Sequence, residues 1–155
     1  RFSALAFIGN ALGISEIICG GVCHRFPELD FVSVESGAGW IPGLLEALDW
    51  QWHNAGVALE HPEYELLPSE YFRRQIYACF WFEKEMLGRA AELYPDNLMY
   101  ETDFPHPTSM SPGPATIAVH PREYAERALG ALPEETAGKL LHDNAARVYN
   151  VPGRQ

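Results

Sequence analysis

Apolar positions along the chain change their period several times, and each change marks the boundary of a predicted helix or strand. Strands are predicted where β-branched, aromatic and other apolar residues cluster in short runs, at 30–36, 75–82 and 97–103. The second run, QIYACFWF, is apolar almost throughout, which is typical of a parallel strand with both faces buried. The segment 61–71, which contains two prolines, is predicted to be an irregular connection. Apolar residues at helical spacing predict helices at 15–25, 40–54, 83–94, 121–131 and 134–149.

The order of these elements is a helix followed by three βα units, which predicts an α/β fold with a parallel sheet and right-handed crossovers. Three strands are too few for a complete fold of this kind, because a parallel sheet needs either helices on both of its faces or closure into a barrel. The pattern is therefore typical of the C-terminal half of a (β/α)₈ TIM barrel, about strands 6 to 8. We expect strands near 30–35, 76–82 and 97–102 in sequential order, with helices on one side only. Residues 1–155 would then form a single partial domain.

The first residues of the chain favour the same interpretation. The stretch RFSALAFIGNALGIS does not begin with Met, is a poor signal peptide, and resembles the middle of a helix, which indicates a truncated chain. A partial barrel exposes an apolar sheet face and unpaired strand edges. We therefore expect the chain to associate with itself, including as a homo-oligomer.

Composition and charge limit the kinds of partner. Of the 155 residues, 47% are apolar and 12% aromatic, which is enough for a packed core. The net charge is −10, and Lys and Arg do not cluster among aromatic residues, so no nucleic-acid partner is expected. No apolar run approaches the roughly 20 residues of a membrane span, so no membrane partner is expected either. The expected partner is a small-molecule substrate.

The three cysteines do not form a disulfide framework. Cys19 and Cys23 are four residues apart in a predicted helix and, with His24 beside them, could supply half of a zinc site, but a second pair of ligands is not evident. We therefore expect Cys19, Cys23 and Cys79 to be small buried apolar side chains. Three unpaired cysteines favour a reducing compartment, and hence a cytoplasmic protein.

Acidic residues stand at or just beyond the end of each predicted strand. They are Glu35, Glu83 and Asp103, and His106 follows the last of them. The carboxyl ends of parallel strands are where α/β proteins collect functional groups, and a buried carboxylate is costly there unless a cation compensates it. The alternative is structural. Asp103 could accept backbone N–H bonds in a turn before Pro105, and the two glutamates could cap the helices that follow them.

Four segments of the chain resemble the amidohydrolase-related family of metal-dependent TIM-barrel hydrolases and decarboxylases. YETDFPHP is similar to the T/S-D-[YF]-P-H segment at the family's eighth strand. The other three occur in the family's order and, with it, span about residues 15–151: GGVCHRFPELDFVSVESGAGWIPGLLEALD, PSEYFRRQIYACF and LLHDNAARVYNV.

This resemblance implies a site. Asp103 would be a metal ligand and the group that handles a proton of metal-bound water, and His106 would orient the loop or the substrate. Several decarboxylases of the family have a histidine at strand 6 where this chain has Glu35, so Glu35 is a candidate for binding metal or holding a water. The implied metal is Zn²⁺ or Mn²⁺. The family's H-x-H or E-x-H pair and its strand-5 histidine have no counterpart in these 155 residues, so those ligands are expected upstream.

Two functions are open at this point. The first is a metal-dependent hydrolase or non-oxidative decarboxylase that acts on a small carbonyl or aromatic acid, with Trp40, Trp81 and Phe82 either lining its substrate pocket or packing in the core. In this interpretation the fragment alone would be inactive, because Asp103 by itself cannot hold a catalytic ion. The second function is a catalytically inactive half-barrel that serves as an interaction module.

Overall fold

The computed structural model describes residues 5–106, 109–114 and 116–152 and contains one parallel three-stranded sheet in that part of the chain. The strands lie in the order β1-β2-β3, at Phe31–Ser33, Ile76–Phe80 and Leu98–Tyr100. Phe31 pairs with Ile76, and Cys79 pairs with Met99. The predicted α/β class, the parallel pairing and the sequential order are confirmed, although each strand is shorter than predicted. The assignment to barrel strands 6 to 8 stays a prediction.

The observed helices agree with the predicted ones to different degrees, as the first two predicted helices show. The segment 40–54 is one helix, whereas 15–25 is divided at Gly20–Gly21, where Gly21 adopts a left-handed φ of 70°. The helices are α1 (Ala6–Cys19), α2 (Val22–Arg25), α3 (Ile41–Asn54), α4 (Val57–Glu60), α5 (Pro68–Gln75), α6 (Leu87–Leu93), α7 (Pro121–Leu129), α8 (Glu134–Gly138) and α9 (Asn144–Val148). A π-helical segment, Lys139–Asp143, joins α8 to α9. None of the described helices is long and apolar enough to cross a membrane.

Helix α5 was not predicted, since its polar residues lie in a segment interpreted as irregular. Its start nevertheless carries a recognisable signal: Pro68 occupies the first turn, and the Glu70 carboxylate accepts the backbone N–H of Leu67 at 2.7 Å. Proline in the first turn and an acidic residue at the third helical position are both typical helix starts. The helix runs directly into β2, so its end places the central strand.

The two faces of the sheet are covered differently. Ile76, Ala78 and Phe80 of β2 are fully buried in the main core, against residues of α1, α3, α6 and α7. On the opposite face, Tyr77 and Cys79 pack with Met99 in a smaller cluster, which also contacts Val32, Ala145 and Val148. The last two residues belong to α9, so the expectation of helices on one side only is wrong.

The reason is a buried amide that holds α9 against the sheet. The side chain of Asn144 is buried and donates to the carbonyl oxygens of Pro95 and Leu98, both at 2.8 Å. These carbonyls lie where β3 begins, so the final helix is held beside that strand, where Ala145 and Val148 pack on the second face of the sheet.

Cysteine positions correct the sequence interpretation in part. Cys23 and Cys79 are buried as expected, but Cys19 is exposed because α1 ends there. All three are free. Burial raises the pKa of the Cys23 thiol to about 11, while the nearby Arg74 charge acts in the opposite direction. Within the described residues, the one group of side chains spaced to hold a metal does not include these cysteines or His24, so the zinc half-site is not supported.

Two more buried amides hold the amino-terminal ends of the strands. Gln75 donates to the carbonyl oxygens of Phe26 and Leu29, at 2.9 and 2.8 Å. Asn97, which is 2% exposed, lies within hydrogen-bond distance of three carbonyl oxygens at the junction of α5 and β2. Buried carbonyl groups need such donors, because leaving them without a partner is costly.

We predict that Asn97→Ala lowers the free energy of unfolding by roughly 1–3 kcal/mol, since the buried carbonyls lose their donor. Asn54→Ala is the matched control. Its amide also donates to a carbonyl, that of Trp50 at 2.8 Å, but in an exposed position, so the change should stay within about 0.5 kcal/mol. Urea unfolding followed by circular dichroism measures both. Equal effects of the two substitutions would contradict the structural role given to Asn97.

Candidate metal centre

The loops that follow β1 and β3 form the candidate site, and both contain a residue with an unusual backbone conformation. Glu35 and Asp103 each have a φ of 55°, in the left-handed region. Residues with a side chain avoid this region, and when they are held in it they often belong to a functional site. Two of the three acids flagged by their position at strand ends are therefore also strained in their backbone.

A short turn brings His106 back over Asp103. The backbone N–H of His106 donates to the carbonyl oxygen of Asp103 at 2.8 Å, and Met110 N–H donates to Thr102 O at 2.8 Å, which closes the loop on itself. The His106 ring atom Nδ1 lies 2.9 Å from Asp103 Oδ2. The Asp103 side chain is only 7% exposed, whereas that of His106 is 51% exposed. A buried carboxylate is thus paired with an imidazole that reaches solvent. Pro107, the next residue of the predicted motif, lies outside the described residues.

Glu35 completes a group of three possible ligands. One ligand atom from each of Glu35, Asp103 and His106 lies within 4.8 Å of the other two. An ion about 2.0–2.2 Å from each donor needs ligand atoms roughly 3–4 Å apart, so small side-chain movements would suffice to bind one. Two carboxylates and an imidazole are donors that both Zn²⁺ and Mn²⁺ accept. The residues present therefore fit a divalent metal in type, and they supply three donors rather than the single Asp103 assumed from sequence.

Glu101 is a member of this region that sequence reasoning missed. Its carboxylate oxygen Oε1 accepts the backbone N–H of Glu35 at 3.0 Å, and its side chain also interacts with the thiol of Cys79. Burial raises the pKa of Glu101, and the charges of Asp103 and Glu35 raise it further, while the Glu35 N–H and the Cys79 thiol act in the opposite direction. The signal was the alternation of β3, which places residues 99, 101 and Cys79 on one face of the sheet.

Glu83 has a structural position outside this group. It is 6% exposed, and its oxygen Oε1 accepts the backbone N–H of Ala38 at 2.5 Å and that of Gly39 at 3.3 Å. Its other oxygen, Oε2, accepts from Phe82 N at 3.2 Å. Glu83 therefore binds backbone N–H groups, as the structural alternative proposed. These groups precede α3, however, and do not belong to the helix that follows Glu83 in the chain.

The three aromatic candidates for substrate contact differ in exposure. Phe82 is 54% exposed beside the loop after β1. Trp40 is partly buried, and its ring N–H donates to the Ser36 carbonyl at 3.0 Å. Trp81 is 8% exposed and belongs to the main core. A part in substrate binding stays a prediction for all three.

A parallel α/β sheet with carboxylate and imidazole donors at the carboxyl ends of its strands is an arrangement suited to metal binding. Residues 15–151 match the family described as Amidohydrolase, so the chain belongs to the amidohydrolase family. This is the family that the sequence motifs resembled.

Several solved structures share the fold, among them the following two. One is an amidohydrolase from Mycobacterium avium subsp. paratuberculosis K-10, with 24% identity over 92% of this chain and 32% of that one, and a TM-score of 0.67. The other is the 5-carboxyvanillate decarboxylase from Sphingomonas paucimobilis, with 26% identity over 88% of this chain and 38% of that one, at the same TM-score of 0.67. The chain thus spans about a third of the length of these proteins. No curated protein matches it.

Gly37 lies inside the site loop and offers a test of how tightly that loop is held. It has a φ of 71°, and a Cβ atom there would meet Glu83 Oε1 and would lie 2.7 Å from Cζ of Phe82. Gly56 has a similar φ of 79° but nothing within 4 Å of such an atom. The pair therefore separates backbone strain from steric overlap.

We predict that Gly56→Ala costs roughly 1–2 kcal/mol of unfolding free energy from left-handed strain alone. Gly37→Ala should cost at least about 1 kcal/mol more, because the methyl group forces a shift of Glu83 or Phe82. Urea unfolding of both variants measures the two losses of unfolding free energy. Equal losses would mean that Glu83 and Phe82 move aside at no energetic cost.

Proposed function

We propose that this chain carries part of the active site of a metal-dependent amidohydrolase-family enzyme, a hydrolase or non-oxidative carboxy-lyase that acts on a small carbonyl or aromatic acid. The observation that carries the proposal is the convergence of Glu35, Asp103 and His106 at the carboxyl ends of β1 and β3. Family membership supports it independently. The name of one structural neighbour, 5-carboxyvanillate decarboxylase, supports an aromatic acid as one class of substrate.

In this proposal Zn²⁺ or Mn²⁺ is held by Asp103 together with Glu35 and His106. When bound, such an ion acidifies a water molecule or polarises a substrate carboxylate or carbonyl. A catalytic site needs about three protein ligands and an open position, which these three donors can satisfy in number. Further ligands in the complete barrel, as the family resemblance implies, would strengthen binding.

Asp103 is the proposed general base. Its carboxylate is 7% exposed, so it is screened from bulk water, and the His106 ring 2.9 Å away stabilises its charge. The His106 ring is half exposed, so the site stays open to solvent on that side. Phe82, which lies beside Gly37 and packs edge to face on Trp81, is a candidate wall for an aromatic ring, and Trp40 and Trp81 are proposed as further ones.

Location and self-association are proposed on separate grounds. Three free cysteines support a cytoplasmic protein. Exposed apolar side chains on α1, including Phe7, Ile8 and Leu12, support association through that surface.

Metal binding is the direct test. We predict that the chain binds Mn²⁺ and that Asp103→Asn weakens binding at least about tenfold, because the buried anionic donor becomes a neutral amide. Asp143→Asn is the matched control: Asp143 also contacts a histidine, His142 Nδ1 at 2.9 Å, but on the exposed surface. Titration followed by Mn²⁺ electron paramagnetic resonance gives both affinities. If the two variants bind equally well, the proposed centre is wrong.

Turnover is the second test, made in a polypeptide that contains a complete barrel. Asp103→Asn should lower kcat by about 10²–10⁴-fold at saturating Zn²⁺ or Mn²⁺, because the general base is lost. The fold should be retained, since Asn has nearly the volume of Asp. The opposite outcome would identify Asp103 as a turn residue only. In that case activity stays within about tenfold of the unmodified enzyme, and the melting temperature falls because the free energy of unfolding drops by about 1 kcal/mol.

A further inference from the structure

Glu101 stands directly behind the candidate metal centre without belonging to its group of donors. Its backbone N–H donates to the carbonyl oxygen of Phe80 at 3.0 Å, which continues the ladder between β2 and β3 by one residue. The sheet therefore fixes the position of its Cα atom. Its side chain lies on the face that carries Cys79 and Met99, and it is partly buried.

The carboxylate of Glu101 connects all three strands. From β3 it reaches the loop after β1, where it accepts the N–H of Glu35 at 3.0 Å across a separation of 66 residues. On β2, the Cys79 thiol interacts with the same carboxylate. Burial raises the pKa of Cys79, and the Glu101 charge raises it further.

Glu35 is the residue that depends on this contact. Its side chain is exposed and its φ of 55° is unfavourable for a residue with a Cβ atom, so hydrogen bonds must hold its backbone in place. The Val34–Glu35 peptide group has two of them: Val34 O accepts from Asn10 Nδ2 at 3.0 Å, and Glu35 N–H donates to Glu101. A hydrogen bond to its own N–H restrains the peptide group whose rotation would release this conformation. The bond therefore restrains the backbone from which the Glu35 side chain projects.

We propose that Glu101 is a positioning residue of the metal centre: by accepting the Glu35 N–H, it holds the β1 loop in the left-handed conformation that brings the Glu35 carboxylate to Asp103 and His106. This inference rests on the proposed metal centre. It differs from the simpler view that Glu101 acts by its negative charge, since a positioning residue needs the correct reach rather than the charge.

Two conservative substitutions separate reach from charge. Glu101→Gln keeps the chain length and an amide oxygen that accepts the Glu35 N–H, but removes the charge. Glu101→Asp keeps the charge but is one methylene shorter, so it cannot reach Glu35 from a backbone that the ladder bond holds. Gln and Asp are both similar enough to Glu in size and shape for each variant to fold. Glu70→Asp is the control, because Glu70 also accepts a backbone N–H, that of Leu67, far from the site.

Co²⁺ affinity is the first measurement, from the visible absorption of the bound ion. Glu101→Asp should weaken Co²⁺ binding by about 10–100-fold, as is typical when a partner that orients a ligand is lost. Glu101→Gln should stay within about threefold of the unmodified chain, because an amide oxygen is a weaker but sufficient acceptor. Glu70→Asp should leave the affinity unchanged. The reverse order, with Gln weak and Asp normal, would overturn the proposal in favour of a charge effect.

Amide hydrogen exchange at Glu35 is the second measurement, and it needs no metal. The Glu35 N–H should be protected in the unmodified chain and in Glu101→Gln, and should exchange at least about tenfold faster in Glu101→Asp. Equal exchange in all three would show that Glu101 does not hold the loop. If Asp103→Asn has no effect on metal binding, the proposed function fails by itself, and the exchange rates still decide the role of Glu101.

Discussion

The parallel pairing of β2 with both of its neighbours is the constraint on which the rest of this structure depends. Because all three strands run in one direction, their carboxyl ends meet at one edge, and loops separated by about 66 residues become neighbours there. The central strand is buried at every position, which makes this arrangement costly to alter. A group placed after β1 can therefore act together with a group placed after β3, although the two are far apart in the sequence.

The amino ends and the carboxyl ends of the strands are held by opposite kinds of side chain, because different backbone groups lack hydrogen-bond partners at the two ends. At the amino ends of the strands, preceding helices and turns leave carbonyl oxygens without partners, and buried amides supply the donors. Gln75, Asn97 and Asn144 fill this role. At the carboxyl ends, loops leave N–H groups without partners, and carboxylates supply the acceptors. Glu83 and Glu101 fill that role.

This difference bears on the candidate metal centre at the carboxyl ends of the strands. Carboxylates that satisfy backbone N–H groups order the loops, while Glu35, Asp103 and His106 project from those ordered loops with ligand atoms close together. The similarity to two solved structures at a TM-score of 0.67, with identities of 24% and 26%, shows that the backbone arrangement is kept while most side chains change. The candidate donors are thus placed by a scaffold that tolerates much variation elsewhere.

The sequence by itself determined the class of fold and the main candidate residue. The apolar runs of the three strands and the helical spacing between them depend on local periodicity, which a sequence displays directly. Asp103 could be identified because it follows a buried strand and lies in a motif that resembles a known family. The helix α5 escaped prediction because its start relies on the short Pro68–Glu70 signal rather than on apolar spacing.

Only the tertiary structure decided which residues act together. Alternation along β3 gives the face on which Glu101 lies, but the separation of 66 residues between Glu35 and Glu101 has no periodicity to reveal their contact. The position of α9 likewise depends on Asn144 reaching the start of β3, 46 residues away from Leu98. Such contacts arise from the way strands and helices pack in space, and local pattern carries no information about them.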